Sequence, residues 1–310
     1  MKTVFFLLVF CGQVAHAGLA QYRTLVVADR ASNPVAGSGT IRVTYLGVNG
    51  YQLESGGAAL LIDPYFTRVS LARVALNQAI APDSGRVAAG LKHVRPRVDA
   101  ILVTHGHFDH LLDVPLIASR TGAQILAGPT AVNLARASGT PDWQCSVIRP
   151  GERRRIGPWK IQVLAAAHDR VLGSKPPFSG TVSRRAKIPH KVSDWKLGEP
   201  LAFVIEAGGR RIYIDSGGVA GVQPAGAGKV DLAILGVALR DSRHRFAAAV
   251  QTLRPRYILP SHQDDFFAPS ERGFSFGKLT NFPQVRQTHE REALPGRLIL
   301  LDYFRPWTLP

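Results

Sequence analysis

Residues 104–110 read Thr-His-Gly-His-Phe-Asp-His, directly after the apolar run Asp99-Ala-Ile-Leu-Val-Thr104. A short Val/Ile/Leu run followed by a polar, glycine-containing stretch is typical of a strand that ends in a loop. Imidazole and carboxylate ligands together suit zinc, iron or manganese. A polar loop that is merely rich in histidine does not account for so many ligand-type side chains in one turn. We therefore predict a metal site at this strand end, built on His105, His107, Asp109 and His110.

Three more ligand-type residues follow apolar runs further along the chain. His168 comes after residues 161–167, Asp215 after residues 211–214, and His262 after residues 257–261. A lone histidine after a strand is more often a hydrogen-bonded structural residue, and Asp-Ser-Gly-Gly at residues 215–218 is also a turn sequence. Because each residue stands where a strand is predicted to end, loops are able to direct all three into one shared site.

In this order the residues resemble the metallo-β-lactamase-fold hydrolase superfamily, from about residue 41 to the C-terminus. The shared pattern is His-x-His-x-Asp-His, then a later His, an Asp and a final His. The resemblance implies one metal on His105, His107 and His168. It implies a second metal on Asp109, His110 and His262, with Asp215 bridging the two ions.

One branch of this superfamily is more similar than the others. That branch contains the ascorbate-phosphate lactonases and the N-acyl-phosphatidylethanolamine phospholipases D. The stretches that resemble it are Ile41–Gly47, Tyr51–Glu54, Ala58–Pro64 and His262–Phe266. Many members of that branch carry Gly-His near the first turn, whereas residues 47–50 here read Gly-Val-Asn-Gly. The branch therefore implies a class of substrate and not one member's substrate.

The resemblance also implies the chemistry. Two metal ions about 3.5–4 Å apart share a water and lower its pKa toward neutrality. A hydroxide that bridges them would attack an ester-type centre, with Asp109 and His110 as catalytic residues. Zinc is the first expectation for both ions, and iron or manganese also fits these ligands.

Three functions are left open by the residues. The branch favours phosphodiester or lactone hydrolysis, and the basic charge of the chain favours an anionic substrate. β-Lactamase or thioesterase activity is one alternative. A non-catalytic metal-binding scaffold that holds an anionic ligand or partner is another, although the intact set of seven ligand-type residues argues against it.

Periodicity alone predicts an α/β or α+β fold, and the resemblance implies a four-layer αββα sandwich of two mixed sheets flanked by helices. Eleven short apolar runs predict strands at 41–46, 51–54, 58–63, 99–103, 123–127, 160–165, 201–206, 211–215, 231–236, 256–259 and 297–301. Helical patterns cover Leu111–Arg120, Thr130–Ser138 and Ser242–Leu253. Thr130 and Ser242 are predicted N-caps, and Gly139 a predicted stop.

The N-terminus predicts export. Residues 1–17 carry Lys2, an apolar run and Ala15-His-Ala17, the order of a cleaved signal peptide. We expect a loose leader over residues 18–40, a hydrolase domain over 41–310, and a periplasmic or secreted mature protein with no transmembrane anchor. Cys145 is then the one remaining cysteine, so no internal disulfide is expected.

The formal net charge is +16, which attracts anions such as phosphoesters and lipid headgroups. Export argues against a nucleic-acid partner, so a small molecule or lipid headgroup is the expected substrate.

The irregular segment 170–200 follows His168 directly and is predicted to cover the site. Its candidate substrate-binding residues are Arg184, Arg185, Lys187 and His190. Alternatively, these four residues belong to a solvated loop without a binding role. We interpret a separate basic run, Arg153-Arg-Arg155, as a solvated hairpin.

Overall fold

The computed structural model describes residues 18–30, 37, 39–170, 175–219, 224 and 226–310. The predicted signal peptide, residues 1–17, lies outside them. The described residues form fourteen strands: β1 (Ile41–Gly47), β2 (Gly50–Ser55), β3 (Ala58–Ile62), β4 (Ala100–Leu102), β5 (Gln124–Ala127), β6 (Cys145–Val147), β7 (Arg153–Ile156), β8 (Trp159–Ala165), β9 (Leu201–Ala207), β10 (Arg210–Ile214), β11 (Leu232–Gly236), β12 (Tyr257–Ser261), β13 (Arg297–Leu298) and β14 (Pro306–Leu309).

Seven α-helices accompany the strands in the described part of the chain: α1 (Leu71–Ala75), α2 (Ser84–Leu91), α3 (Phe108–Leu111), α4 (Val114–Thr121), α5 (Pro129–Ala137), α6 (Arg240–Leu253) and α7 (Phe282–Arg291). None of the helices in these residues is long and apolar enough to cross a bilayer.

The strands build two sheets of seven. The first has the order β14-β1-β2-β3-β4-β5-β6, and the second has the order β13-β12-β11-β10-β9-β8-β7. In each sheet the four strands from one edge run antiparallel to their neighbours, and the rest run parallel. The predicted arrangement of two mixed sheets flanked by helices is confirmed.

Alternation along the strands explains the layers. In β3, Leu60 and Ile62 face the cluster between the two sheets, whereas Ala59 and Leu61 face the helices on the outer side. In β10, Ile212 belongs to the central cluster as well. Because successive side chains of a strand point to opposite faces, a strand that is apolar throughout needs cover on both faces. Helices α2 to α5 cover the first sheet, and α6 and α7 cover the second.

Ten of the eleven predicted strands are present within two residues at each end, the predicted strand 297–301 is shortened to β13, and three strands were missed. β6 is short and partly exposed, β7 consists largely of arginine, and β14 returns to pair with β1. The hairpin predicted at Arg153-Arg-Arg155 exists, and the three arginines are themselves its exposed first strand, at the edge of the second sheet.

Two of the three predicted helix boundaries need correction. Helix α5 begins after Gly128 and α6 after Leu239, so Thr130 and Ser242 lie inside the first turn of their helices. Gly139 follows the end of α5 with φ of 96°, which confirms the predicted stop. The predicted helix 111–120 is divided into α3 and α4.

The leader is less loose than predicted where it is described. Residues 19–22 form a 3₁₀ turn, and the buried Tyr22 packs edge-on against Phe276 and Phe282. Val27 N donates to Leu300 O at 3.0 Å. Aromatic packing and backbone pairing therefore fasten this part of the leader to the second sheet.

Candidate metal centre

One edge of the sandwich collects the ligand-type residues. His105 follows β4, His168 follows β8, and His262 follows β12, each at the carboxyl end of its strand. β8 and β10 both run antiparallel to β9, so they point the same way as β12. The two sheets thus present these strand ends to each other, and six predicted ligands meet there.

The first group consists of His105, His107 and His168, whose ligand atoms lie within 4.8 Å of one another. Each imidazole ring is held by a hydrogen bond from one of its two nitrogens. His107 Nε2 donates to Pro177 O at 3.0 Å, and His168 Nδ1 donates to Asp169 O at 2.8 Å. These bonds fix the tautomers and leave His107 Nδ1 and His168 Nε2 free to bind a cation.

The third ring of this group is oriented by Thr104. The hydroxyl of Thr104 donates to Asp63 at 2.6 Å, so its oxygen accepts from His105 Nδ1 at 3.1 Å. His105 Nε2 then faces His107 Nδ1 at 3.0 Å with an unshared electron pair on each atom. Two such pairs repel each other unless a cation lies between them. The donor set therefore fits a divalent metal ion such as zinc.

The three imidazoles are neutral at pH 7. Burial, followed by the neighbouring imidazoles, lowers the pKa of His105 and of His107 well below the ordinary value. Burial also lowers the pKa of His168, to about 4. Neutral imidazole is the form that binds metal, so the protonation state agrees with the geometry.

The second group consists of Asp109, His110 and His262, which are all buried and also lie within 4.8 Å of one another. His262 Nε2 lies 3.2 Å and His110 Nε2 3.5 Å from Asp109 Oδ2. The outer nitrogen of His110 donates to Asp63 Oδ2 at 2.8 Å. Two imidazole nitrogens and a carboxylate oxygen thus converge as a second set of three ligands.

Charge is balanced inside this second group. Burial would raise the pKa of Asp109, but the imidazoles of His110 and His262 outweigh it and hold the pKa below its ordinary value. Burial would lower the pKa of His110, but Asp109 and Asp63 outweigh it and raise the pKa. The two groups adjoin, because the rings of His105 and His110 are 4.0 Å apart between centroids.

Asp215 lies in neither group, although it follows β10 as predicted. Its carboxylate is fully buried and paired with Arg245 of α6, a contact that the sequence reasoning missed. A signal was present in the sequence, because Arg245 stands on the buried face of an amphipathic helix, beside Phe246 and three residues after Ser242. A charged residue at such a position indicates a buried partner.

Part of the segment 175–200 covers the first group. Gly106 N donates to Leu197 O at 3.0 Å, and the Phe178 ring meets the His107 ring edge-on at 5.9 Å. On the other side, the Phe266 ring meets the His262 ring at 5.1 Å. The side chains that border the ligands here are therefore aromatic.

The four candidate substrate residues are exposed and lie elsewhere on the segment. Arg184 forms an ion pair with Asp142 at 2.9 Å, beyond the C-terminal end of α5. The backbone of His190 joins the segment to residue 80, through a bond from Ile80 N at 2.9 Å. The structure brings none of these contacts to the ligand groups, and a substrate role for the four residues stays a prediction.

Asp63 and Thr104 orient ligands in both groups and were not predicted as site residues. Asp63 stands directly after β3, which is parallel to β4 and beside it, so the rule that located His105 would have located Asp63.

A second motif also escaped the sequence reasoning. Gly273-Phe-Ser275-Phe-Gly277 has the spacing of a serine-hydrolase elbow. That elbow needs a turn from strand to helix. Here the backbone carbonyl of Ser275 accepts from Asp265 N at 2.8 Å, and Phe276 forms an isolated bridge with Asp264. The local structure is therefore not a nucleophile elbow.

Sequence comparisons agree with this arrangement. The family described as Beta-lactamase superfamily domain matches residues 42–262, a range that includes all seven ligand-type residues. A curated relative, the UPF0173 metal-dependent hydrolase of Anaeromyxobacter sp. (strain K), is 28% identical over 280 residues. The match covers 86% of this chain and 85% of the relative.

Solved structures share the fold. Igni18, described as a novel metallo hydrolase from the hyperthermophilic archaeon Ignicoccus hospitalis, has a TM-score of 0.55 at 17% identity and covers 87% of this chain and 99% of its own. The metallo-beta-lactamase fold protein YhfI from Bacillus subtilis has a TM-score of 0.56 at 13% identity, with the same two coverages. At such identities the likeness concerns the fold alone.

Proposed function

The chain belongs to the beta-lactamase superfamily, and from this premise we propose that it is a metal-dependent hydrolase with two metal ions at the centre described above. The observation that carries the proposal is the convergence of six ligand atoms in two adjoining groups of three. Curated relatives such as the Anaeromyxobacter protein carry the name metal-dependent hydrolase, which supports the same reaction class.

The chain's own residues prepare the centre. Pro177 O, Asp169 O and Thr104 Oγ1 orient the first group, and Asp63 orients His110 in the second. Metal ions held there would polarise the oxygen of the scissile bond and lower the pKa of a water. Asp109, the carboxylate of the second group, would orient that water. Zinc is the metal we propose first, and iron and manganese are the alternatives that the metal analysis below would detect.

The proposed substrate is an anionic ester, with a phosphodiester or lactone as the first classes. Two observations support a negative charge on the substrate. The whole chain carries a formal charge of +16, and Asp109 is the one carboxylate in the two ligand groups. A centre of two dications with a single carboxylate ligand attracts anions.

Export is part of the proposal. The order of Lys2, apolar run and Ala15-His-Ala17 supports a signal peptide. Sequencing of the N-terminus of protein from the native host should find a mature chain that begins near Gly18. An intact Met1 in a cytosolic fraction would contradict export.

A metal analysis combined with a hydrolysis screen tests the function. Protein purified without chelator is analysed for zinc, iron and manganese, then assayed on phosphodiesters, lactones, thioesters and β-lactams with each metal. We expect two metal ions per chain and turnover of an anionic phosphodiester or lactone that falls as salt rises.

The screen separates the alternatives. Hydrolysis of thioesters or β-lactams in preference to the other classes would contradict the proposed substrate and keep the metal centre. Bound metal without turnover of any class would favour the non-catalytic scaffold. A metal content near zero that does not change after reconstitution would contradict the whole proposal.

A further inference from the structure

The carboxylate of Asp215 is fully occupied by donors of its own chain. Oδ1 accepts from Gly217 N at 3.1 Å and from Gly236 N at 3.2 Å. Oδ2 accepts from Tyr213 OH at 2.8 Å and from the guanidinium of Arg245. A carboxylate offers about four lone-pair directions, and four donors take them here.

Arg245 is committed to this contact as firmly as Asp215. Its side chain is 5% exposed, and Nη1 also donates to Gly217 O at 2.8 Å. A buried guanidinium without a carboxylate would be an uncompensated charge, which is strongly unfavourable. Withdrawing Asp215 toward a metal ion would therefore leave Arg245 unpaired inside the protein.

Three glycines make room for the pair. A Cβ on Gly236 would lie 2.1 Å from the backbone of Ser216, and one on Gly218 would lie 2.2 Å from Arg245 Nη1. Gly217 has φ of 127°, a conformation that favours glycine. The Asp-Ser-Gly-Gly sequence is thus explained by the ion pair and its turn, without a metal ligand at residue 215.

From these contacts we infer that Asp215 is a positioning residue and not a metal-bridging ligand in this protein. Arg245 retains the carboxylate, and the pair fixes the turn that carries Ser216. Ser216 Oγ lies 3.4 Å from His105 Nδ1, so the turn reaches the first ligand group through its next residue. The two metal positions then take three ligands each and share no protein carboxylate.

The consequence is a more positive centre than the superfamily pattern implies. Asp109 supplies the negative charge of the ligand set alone, because Arg245 neutralises Asp215. This deepens the proposed function, on which it rests, by giving the anionic substrate an attractive charge at the metal ions themselves.

Zinc titration of four proteins tests the inference: wild type, Asp215→Asn/Arg245→Met, Arg245→Met and, as a positive control, His168→Ala. Binding is followed by equilibrium competition with a chromophoric chelator, and folding by circular dichroism. We expect the double variant to bind as many zinc ions per chain as wild type. Arg245→Met should have a lower thermal midpoint than the double variant, because it leaves Asp215 buried and unpaired. His168→Ala should lose one zinc.

A double variant that folds but binds one zinc fewer than wild type would overturn the inference and leave the proposed function standing. A wild type that binds no zinc, iron or manganese would overturn both. Anomalous diffraction from crystals of zinc-loaded wild type gives a second reading that needs no variant. We expect the Asp215 oxygens to keep Arg245 as their partner. An Asp215 oxygen within about 2.0–2.2 Å of both zinc ions, the range of zinc–carboxylate bonds, would overturn the inference.

Discussion

Asp63 Oδ2 lies 2.8 Å from His110 Nδ1, so a carboxylate at the end of β3 fixes the ring orientation of a ligand from the next strand's loop. The same oxygen accepts from Thr104 Oγ1 at 2.6 Å, and Thr104 in turn orients His105. One side chain thereby positions a histidine in each of the two ligand groups.

Asp63→Ala should weaken zinc binding by about 10–100-fold, the usual effect of removing a carboxylate behind a ligating histidine. Competition with a zinc chelator measures it. Asp83→Ala is the matched control, because Asp83 caps α2 through Gly85 N and Arg86 N. The control should lose about 1 kcal/mol of stability and keep zinc affinity. Equal zinc affinities in the two variants would contradict the role of Asp63.

Asp109→Ala and His110→Ala should each lower kcat by several orders of magnitude on whatever substrate the screen identifies, because both residues belong to the second ligand group. Circular dichroism and metal analysis accompany the kinetics. His244→Ala, on the surface of α6, is a suitable histidine control and should keep wild-type kcat. Full activity of either ligand variant, with its metal content verified, would remove that residue from the mechanism.

Gly106→Ala should destabilise the protein and weaken zinc binding together. A Cβ at residue 106 would lie 2.2 Å from Lys196 O, and Gly106 stands between two ligand histidines. Relief of the clash must move either the covering segment or the ligand loop, at about 1–3 kcal/mol. Denaturant unfolding and chelator competition measure the two effects. In Gly39→Ala, where a Cβ meets nothing within 4 Å among the described residues, both should stay near wild type. Unchanged zinc affinity in Gly106→Ala would show that the contact is not tight.

Asp264→Ala should cost about 3–5 kcal/mol of unfolding free energy, because it leaves Arg68 buried without its carboxylate. The Arg68 Nη1 to Asp264 Oδ2 distance is 2.9 Å, and neither side chain is exposed. The control is Glu290→Ala, which breaks the exposed 2.7 Å pair with Arg286 on α7 and should cost less than about 1 kcal/mol. Chemical denaturation compares the two variants, and similar losses would argue against a buried, essential pair.

Sequence reasoning predicted six residues that the structure brings together in the candidate metal centre, because strand ends and ligand types are both local signals. Four of the apolar runs end where a ligand-type residue follows, and strands that run the same way bring such ends to one edge. Local signals do not show which distant residue a side chain will contact in the folded protein. Asp215 follows its strand like the others, yet its carboxylate is taken by Arg245, thirty residues away on α6. The pairing depends on how a helix lies on a sheet.

The helix starts show the same dependence. Thr130 has the residue type of an N-cap, but Thr130 N donates to the side chain of Glu199, which belongs to a distant part of the chain. The hydroxyl of Ser242 accepts a hydrogen bond from Gly218 N and donates one to the carboxylate of Asp169. Tertiary partners have replaced local caps at both positions, and β7 was missed because arginines rarely predict a strand.

The arginines of β7 also affect how the molecule associates with other copies of itself. β7 is the outermost strand of the second sheet, so one side of its backbone has no strand beside it among the described residues. Bare strand edges recruit extended segments of other chains and seed aggregates. Three exposed guanidinium side chains in succession repel a second copy of the same edge. These charges thereby protect this edge of the sandwich from pairing with the same edge of another copy.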